Sequence, residues 1–500
     1  MSSAISIVLV KTPSLRIRGD LATSYQTLPI GLSYFAAYLR EQGFPQVTII
    51  DSFGEDPNRH TPWRSDIEVL GLDCETILEK LPNKVDYLGI SCMFSHEWVY
   101  AIEVIRRIRL HYPNTFIIAG GEHPTALPEF CLESAPLDAC ALGEGEHTLV
   151  DVIRTRENNG NLEHIPGIAF RYGDAVIITE RRPRIDPNTL PPPAWDLIPV
   201  HHYFQHKISN GLLSHRAMPI LASRGCPFRC TFCSNTTMWG LRFAYRSPHS
   251  VVAEIQDLQQ RYGVRSVLFC DLTAIASKKW LLEFCDQLEK SHTNIKWELP
   301  SGTRSEALDA QSLSSMYRTG CFSLTYAPES GSEETLVRIE KKLSKTRMMA
   351  SIRAAIESGI KAKAQFIIGF PGESRRDMLK TLLFMLRLAW LGLPDASVVP
   401  FLPYPGSNMY RELVRQGRIN EKSEHFLQFL TYNSYTNILK ATSWNETIGD
   451  RELRVYFLLW FASFYLFSFL VHPWRLSMLF ASENGGRLGK FFRVLWRGKF

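Results

Sequence analysis

The 500-residue chain has no low-complexity tract and no short-period repeat, which removes the repeat architectures. Its first residues, Met1-Ser-Ser-Ala-Ile-Ser, carry no basic run, and the apolar stretch that follows stops at Val10 before Lys11. That pattern predicts a first strand and argues against a signal peptide. Excess charge is almost absent outside the end of the chain, because 56 basic residues nearly balance 50 acidic ones. Five basic residues (Arg487, Lys490, Arg493, Arg497 and Lys499) and no acid follow Gly485, within a net charge of only +6. The remainder is nearly neutral, so no general nucleic-acid binder is expected. The ten cysteines form no disulfide framework. Several end apolar runs, as Cys92 and Cys270 do, and read as reduced, buried thiols in a reducing cytoplasm. The length suits about two to four domains with ample core.

What is present is concentrated in one stretch, Leu221-Ala-Ser-Arg-Gly-Cys-Pro-Phe-Arg-Cys-Thr-Phe-Cys-Ser-Asn235. Cys226, Cys230 and Cys233 stand in the spacing C-x3-C-x2-C. The apolar run from Pro219 leads in as a strand, and Gly225 and Pro227 break it into a loop. Three thiolates from one loop fit a four-iron cluster whose last iron has no protein ligand. The alternative is a zinc loop, which usually uses C-x2-C pairs and needs a fourth ligand. His249 lies too far downstream to be a good one.

This spacing, with Phe232 before the last cysteine, resembles the radical SAM superfamily. The resemblance implies that the open iron chelates S-adenosylmethionine and that an electron from the cluster cleaves its sulfonium to a 5′-deoxyadenosyl radical.

Ahead of the loop, strand-like runs (Ile5–Val10, Val47–Asp51, Val85–Cys92, Thr115–Gly121, Ala139–Gly143) alternate with helical patterns. Pro29 to Gly43 and Ser95 to Tyr112 are the clearest helices. Such alternation predicts a doubly wound parallel sheet with helices on both faces, binding ligands at the strands' carboxyl ends. Three loops sit there: Ser91-Cys-Met-Phe94-Ser, Gly120-Gly121-Glu-His123-Pro-Thr and Gly143-Glu144-Gly145-Glu-His-Thr. Any one of them reads as a tight turn, whereas three at successive strand ends favour a bound cofactor. These loops, with Leu28-Pro-Ile-Gly31, resemble the cobalamin-binding domain of one radical SAM subgroup. The resemblance implies cobalamin held through Ser91, Phe94, Gly120, Gly121, His123, Gly143, Glu144 and Gly145. No Asp-x-His-x-x-Gly motif is present, so a lower axial histidine is not expected. His123 and His147 are read as hydrogen-bonding or structural groups. A flavodoxin-like domain without cofactor is the alternative.

A hairpin from Ile165 to Thr179 and a proline-rich stretch around Leu190-Pro-Pro-Pro-Ala-Trp-Asp196 read as a connector. After the cluster loop, strands again alternate with helices and end on Asp271, Arg304, Glu329 and the run Ile368-Gly369-Phe370-Pro-Gly-Glu373. A partial (β/α) barrel with its site on that rim is predicted. The order Asp, Arg, Glu-Ser-Gly at successive strand ends resembles the radical SAM pattern, as do Gly-Phe-Pro-Gly-Glu and Pro403-Tyr-Pro-Gly-Ser407. It implies that Asp271, Arg304, Glu329 and Gly369 contact S-adenosylmethionine, with Phe232, Ile368 and Phe370 packing near its adenine. Tyr326, His96 and Trp239 are further residues that the reading leaves unranked near the site.

Near the end, Val455–Val471 is uncharged and apolar, close to the minimum length for a bilayer span. It reads as a helix buried in the protein or lining an apolar site. In the tail, Leu488, Phe491, Phe492, Leu495 and Trp496 follow helical spacing opposite the basic residues. That pattern fits either an interfacial helix or a surface helix packed on its own domain.

The expected organisation is a cobalamin-binding-like domain (1–155), a hairpin and linker (156–210), a radical SAM domain (211–410) and a helical C-terminal region (411–500). The expected function is a cobalamin-dependent radical SAM C-methyltransferase acting on a small, apolar molecule. An electron donor of flavodoxin or ferredoxin type is implied. Oxidative cyclisation with the same cofactors, or a non-catalytic cobalamin sensor, are the alternatives. The expected location is the cytoplasm, with peripheral membrane contact through the tail.

Overall fold

A computed structural model describes residues 5–18, 26–213, 215–304, 308–432 and 441–476. The basic tail beyond Gly485 lies outside them. The chain packs as two units. One contains residues 1–210, 214–265 and 402–440, and the other 211–213, 266–401 and 441–500.

The first unit is built on a seven-stranded sheet in the spatial order Ala175–Ile178, Ile168–Tyr172, Ala139–Ala141, Phe116–Gly120, Tyr87–Ser91, Ile7–Lys11, Val47–Asp51. The last five of these run parallel. Their residues are near-continuously apolar and buried, as a sheet covered on both faces requires. Helices Ile30–Glu41 and Trp98–His111 supply part of that cover, each burying one face. The helix that starts after Pro29 uses that proline's preset backbone as its N-cap.

The first-unit hairpin is not a free connector. Its strand Ile168–Tyr172 pairs antiparallel with Ala139–Ala141 and extends the sheet. Packing therefore divides the chain differently from the sequence boundaries at 155 and 210, and the cysteine loop belongs to the first unit as well. A small antiparallel sheet of Ser14–Ile17, His60–Arg64 and Ile67–Leu70 was not evident from the sequence. Its strands are short and only partly apolar, so they carry little periodic signal.

In the second unit, Ser266–Phe269, Lys296–Thr303, Cys321–Glu329, Lys361–Ile368 and Asp395–Pro400 lie side by side, all parallel. The helices Lys278–Lys290, Ala310–Arg318, Lys345–Glu357 and Arg375–Leu391 alternate with them. This is the open (β/α) arrangement. Serine or aspartate N-caps start all four helices, which fixes where each loop ends. The long helix Asp450–Val471 lies against Arg375–Leu391 and the strand Asp395–Pro400. It is buried along one stripe only, through Leu453, Phe457, Trp460, Phe464, Tyr465 and Ser468.

Candidate functional site

The cysteine loop is held at both ends by the first unit. On its entry side, Ser223–Arg224 pairs with Ala244–Tyr245, and Arg224 stands two residues before Cys226. The Arg224 guanidinium donates to Glu146 at 2.6 Å and to Glu144 at 3.1 Å, with all three side chains almost fully buried. It also lies over the Tyr34 ring, 5.3 Å from the centroid. Burial alone would push Arg224 down, but Glu146 and Glu144 outweigh it and hold its protonated form above the ordinary arginine range. Arg184 completes the set: its Nε donates to Glu144 at 2.6 Å, and its Nη1 to the carbonyls of Trp239 and Arg242.

On the exit side, helix Asn235–Met238 begins two residues after Cys233, with Ser234 at its N-cap. Arg181 donates to the Thr237 and Met238 carbonyls at 2.9 and 2.8 Å. Ser234 donates to the Glu122 carboxylate, and burial pushes that carboxyl up. Thr237 Oγ1 donates to the Gly406 carbonyl at 2.6 Å, and the Met409 N–H to the Thr231 carbonyl at 3.0 Å. The proline-rich linker and the Pro-Tyr-Pro-Gly-Ser run therefore act as braces for the loop.

Cys226, Cys230 and Cys233 are half-buried, and none of the ten cysteines is in a disulfide. Burial pushes the Cys233 thiol up to about 12, and nearby Glu122 adds to it, as expected of a thiol awaiting a positive partner. Among the described residues no group of three His, Cys, Asp or Glu is gathered closely enough for one metal ion. Thiolates that each bind a separate iron of a cluster need not meet at one point, as zinc ligands must. Three half-buried thiols on one braced loop are the kind of donor set that such a cluster uses.

The three loops stand at adjacent carboxyl ends of the parallel strands. Ser91 and Gly120 are the last residues of their strands, and the Cys92 N–H donates to the Gly120 carbonyl. Phe94 and Met93 are exposed beyond Ser91 and form an apolar rim at the strand ends. Phe94 is stacked on His96. Gly121 has φ +114°, and a Cβ there would run into the Cys92 carbonyl oxygen. Gly143 donates its N–H to Thr125, and Gly145 packs against the Phe35 ring, 2.8 Å from where a Cβ would sit. The chain's own packing thus accounts for Gly121 and Gly145.

Glu144 and His123 sit differently from a ligand contact. Both Glu144 carboxylate oxygens are taken by arginines, and one also accepts from the Ile185 N–H at 3.2 Å. His123 is fully buried between Trp98 and Phe130, neither ring nitrogen has a hydrogen-bond partner among the described residues, and burial lowers it to about 3. A neutral ring there packs as an aromatic. His147 stacks on Tyr38.

In the second unit, Asp271, Arg304, Glu329 and Gly369 lie at or just beyond the carboxyl ends of four adjacent parallel strands. Asp271 and Glu329 are buried. Glu329 has φ +62°, a left-handed backbone that is costly for a residue with a side chain and clusters at functional sites. Its carboxylate pairs with buried Lys341 at 2.9 Å. Arg304 donates to the Lys342 carbonyl. The Gly369 and Phe370 N–H groups donate to the Glu373 carboxylate at 2.7 and 3.2 Å. Asn445 donates to the carbonyls of Phe370 and Glu373 and fixes the Gly-Phe-Pro-Gly-Glu turn from outside. Ile368, Phe370 and Tyr326 are fully buried, Phe370 against Phe401 and Tyr326 bonded to Ser351. Phe232 lies half-buried within the cysteine loop, and Trp239 beneath Arg184.

Sequence reasoning passed over Arg224, Glu122, Glu146, Lys341 and Glu373. Arg224, Glu122, Glu146 and Glu373 lie inside the quoted motifs, and a buried charge in a motif is a signal for a buried partner.

Residues 220–385 match the radical SAM superfamily, and residues 21–153 match the B12 binding domain. The chain is 30% identical over 461 residues to the cytidylyl-2-hydroxyethylphosphonate methyltransferase of Streptomyces wedmorensis, covering 85% of this chain and 84% of that one. It is 27% identical over 386 residues to the anaerobic magnesium-protoporphyrin IX monomethyl ester cyclase of Cereibacter sphaeroides, covering 75% and 60%. In fold it matches the radical S-adenosylmethionine methyltransferase TsrM of Kitasatospora setae, with a TM-score of 0.63 at 16% identity, over 82% of this chain and 75% of that one. The cofactors that follow are a 4Fe–4S cluster, S-adenosylmethionine and cobalamin. This chain belongs to the radical SAM superfamily, in the group whose radical SAM domain follows a B12-binding domain.

Proposed function

We propose that the protein is a C-methyltransferase that places a methyl group on an unactivated carbon of a small, apolar biosynthetic intermediate. The observation that carries this reading is the bracing of the cysteine loop onto the loops of the B12-type sheet through Arg224, Glu144, Glu146 and Glu122. Cys226, Cys230 and Cys233 would hold the cluster. Ser91, Phe94, Gly120, Gly121 and Gly143 would border cobalamin. Asp271, Arg304, Glu329 and Gly369 would contact S-adenosylmethionine. When bound, these groups supply reductive cleavage of a sulfonium and a transferable methyl group.

The chain's own part is positional. Arg224, Arg184 and Arg181 hold the loop on both sides so that its thiols keep fixed positions. Glu373 locks the turn after Ile368 and leaves the backbone there rigid. A reducing protein partner and a cytoplasmic setting complete the proposal.

The test is anaerobic turnover with S-adenosylmethionine deuterated on its methyl group, using extracts of the source cell as substrate. A product carrying one labelled methyl supports the reading. Deoxyadenosine release with an unlabelled product that has lost hydrogen favours oxidative cyclisation, the activity named for the Cereibacter sphaeroides relative.

A further inference from the structure

The helix Asp450–Val471 has a mean hydropathy of 1.7 over its most apolar stretch, yet only 28% of that stretch is buried. Its inner stripe is firmly anchored. Trp460 donates to the Met378 carbonyl at 3.2 Å, and Tyr465 donates to Asp395 at 2.5 Å. Just past the helix, Arg475 donates to Ser468 at 2.7 Å and to the Leu393 carbonyl at 3.1 Å. A membrane-spanning helix would have to give up all of these bonds, so the helix stays on its domain.

Its opposite stripe is bare: Leu459, Leu466 and Leu470 are 50%, 65% and 79% exposed. The adjoining helix Arg375–Leu391 continues the same surface with exposed Leu383 and Trp390, and Trp390 meets Phe467 at 6.3 Å between ring centroids. Exposed Trp474 follows the long helix. Exposed Arg387 stands between Leu383 and Trp390 on one helical face. Leucine and tryptophan beside arginine is the composition of a surface at the edge of a bilayer.

The sequence says what kind of layer would cover it. Beyond residue 476 the chain continues with Arg487, Lys490, Arg493, Arg497 and Lys499, interleaved at helical spacing with Leu488, Phe491, Phe492, Leu495 and Trp496. Apolar side chains for the acyl boundary and cations for phosphate headgroups match an anionic lipid surface, and they are continuous in the chain with the bare helix. We infer that the second unit docks on an anionic membrane surface through the outer stripe of Asp450–Val471, Leu383 and Trp390, and that the basic residues of the tail add cations for the same surface. This binding is peripheral, and it does not depend on which reaction the enzyme performs.

The test is vesicle flotation of the full chain. Binding to phosphatidylcholine mixed with phosphatidylglycerol is expected, weaker by about tenfold or more on phosphatidylcholine alone and falling with added salt. Leu466→Glu with Leu470→Glu should cut binding at least about tenfold, with melting temperature and iron content unchanged. Lys490→Glu with Arg493→Glu should cut it by about fivefold per residue or more. Absence of wild-type binding while the protein runs as a monomer would mean that the tail covers the face, and it would overturn the inference. A dimer dispersed by Leu466→Glu, with no vesicle binding, would assign the face to a second copy and overturn it equally. So would binding that both variants leave intact.

Discussion

Removing Arg224 is the perturbation that separates a braced cysteine loop from a loop that merely passes by. Arg224→Met keeps the length and the apolar stem of the side chain and takes away its charge. Glu144 then still has Arg184 at 2.6 Å. Glu146 has nothing comparable. Its Oε1 is held by Arg224 at 2.6 Å, and its Oε2 has no hydrogen-bond partner among the described residues. The Arg224 side chain is 6% exposed and that of Glu146 4%, so water cannot take over. Breaking a buried pair from one side costs about 3–5 kcal/mol, because the remaining charge is left uncompensated. Losing the contact with the Tyr34 ring adds to this by about 0.5–2 kcal/mol. The expected result is a loss of about 3 kcal/mol or more in the first unit's unfolding transition, read by denaturant titration with tryptophan fluorescence. Poor retention of iron after reconstitution should accompany it, since the strand pair at Arg224 leads straight to Cys226. Adding Glu146→Gln to Arg224→Met should recover about 1–2 kcal/mol, because a neutral amide is cheaper to bury than a carboxylate. A loss below about 1 kcal/mol for Arg224→Met, or a double variant no more stable than the single one, would refute the reasoning.

Three other outcomes follow from the same geometry. Cys233→Ser should leave the reconstituted chain with far less iron than the wild type by colorimetric assay, and full retention would remove it from the ligand set. Burial raises Glu373 to about 7 from an ordinary 4.5, against hydrogen bonds from Gly369 and Phe370. The folded second unit therefore holds a proton there that the unfolded chain loses, and the stability this gives is full below about pH 4.5 and lost as pH rises through 7. Glu373→Gln should flatten that slope in thermal melts, and an unchanged slope over the same window would assign it elsewhere. Gly121→Ala should cost about 1–3 kcal/mol in the first unit's unfolding transition, through its left-handed backbone and the Cys92 carbonyl in its way. A fully stable variant would show that this loop can relax.

The parts of the fold that were legible are those with a strong local period. Val47–Asp51 was read at its observed bounds, and the other parallel strands of the first sheet within a few residues of theirs, because strands buried on both faces are near-continuous apolar runs. The hairpin after residue 165 was read as a hairpin but not as part of the sheet. Its short apolar start, Ile168-Ala-Phe170, fits a lone hairpin as well as a sheet strand, and its pairing with Ala139–Ala141 is a long-range fact. Val455–Val471 was read as buried because composition counts apolar residues without regard to side. Only one stripe, Leu453, Phe457, Trp460, Phe464, Tyr465 and Ser468, is buried against the protein.

Glu144 shows why motif reading stops short of the site. An acid between two glycines at the end of a parallel strand reads the same whether its partner is a ligand or an arginine far along the chain. Here the partners are Arg184, 40 residues on, and Arg224, 80 residues on. Neither spacing has a period that sequence could register. The distinction is nevertheless physical and sharp: an acid awaiting a ligand must keep an oxygen open to it, whereas both Glu144 oxygens are already occupied and the side chain is 4% exposed. Its chemistry is therefore exerted through the arginines it holds. Arg224 lies two residues before Cys226, and Arg184 binds the carbonyls at Trp239 and Arg242 on the far side of Cys233. One buried carboxylate on the B12-type sheet thus controls both ends of the cysteine loop. It follows that Glu144→Gln, which keeps the shape and removes the charge, should disturb the cysteine loop before it disturbs cobalamin binding. Iron retention and cobalamin retention, measured on the same reconstituted sample, separate the two: loss of iron with cobalamin kept agrees with this arrangement, and the reverse would return Glu144 to the cobalamin contacts.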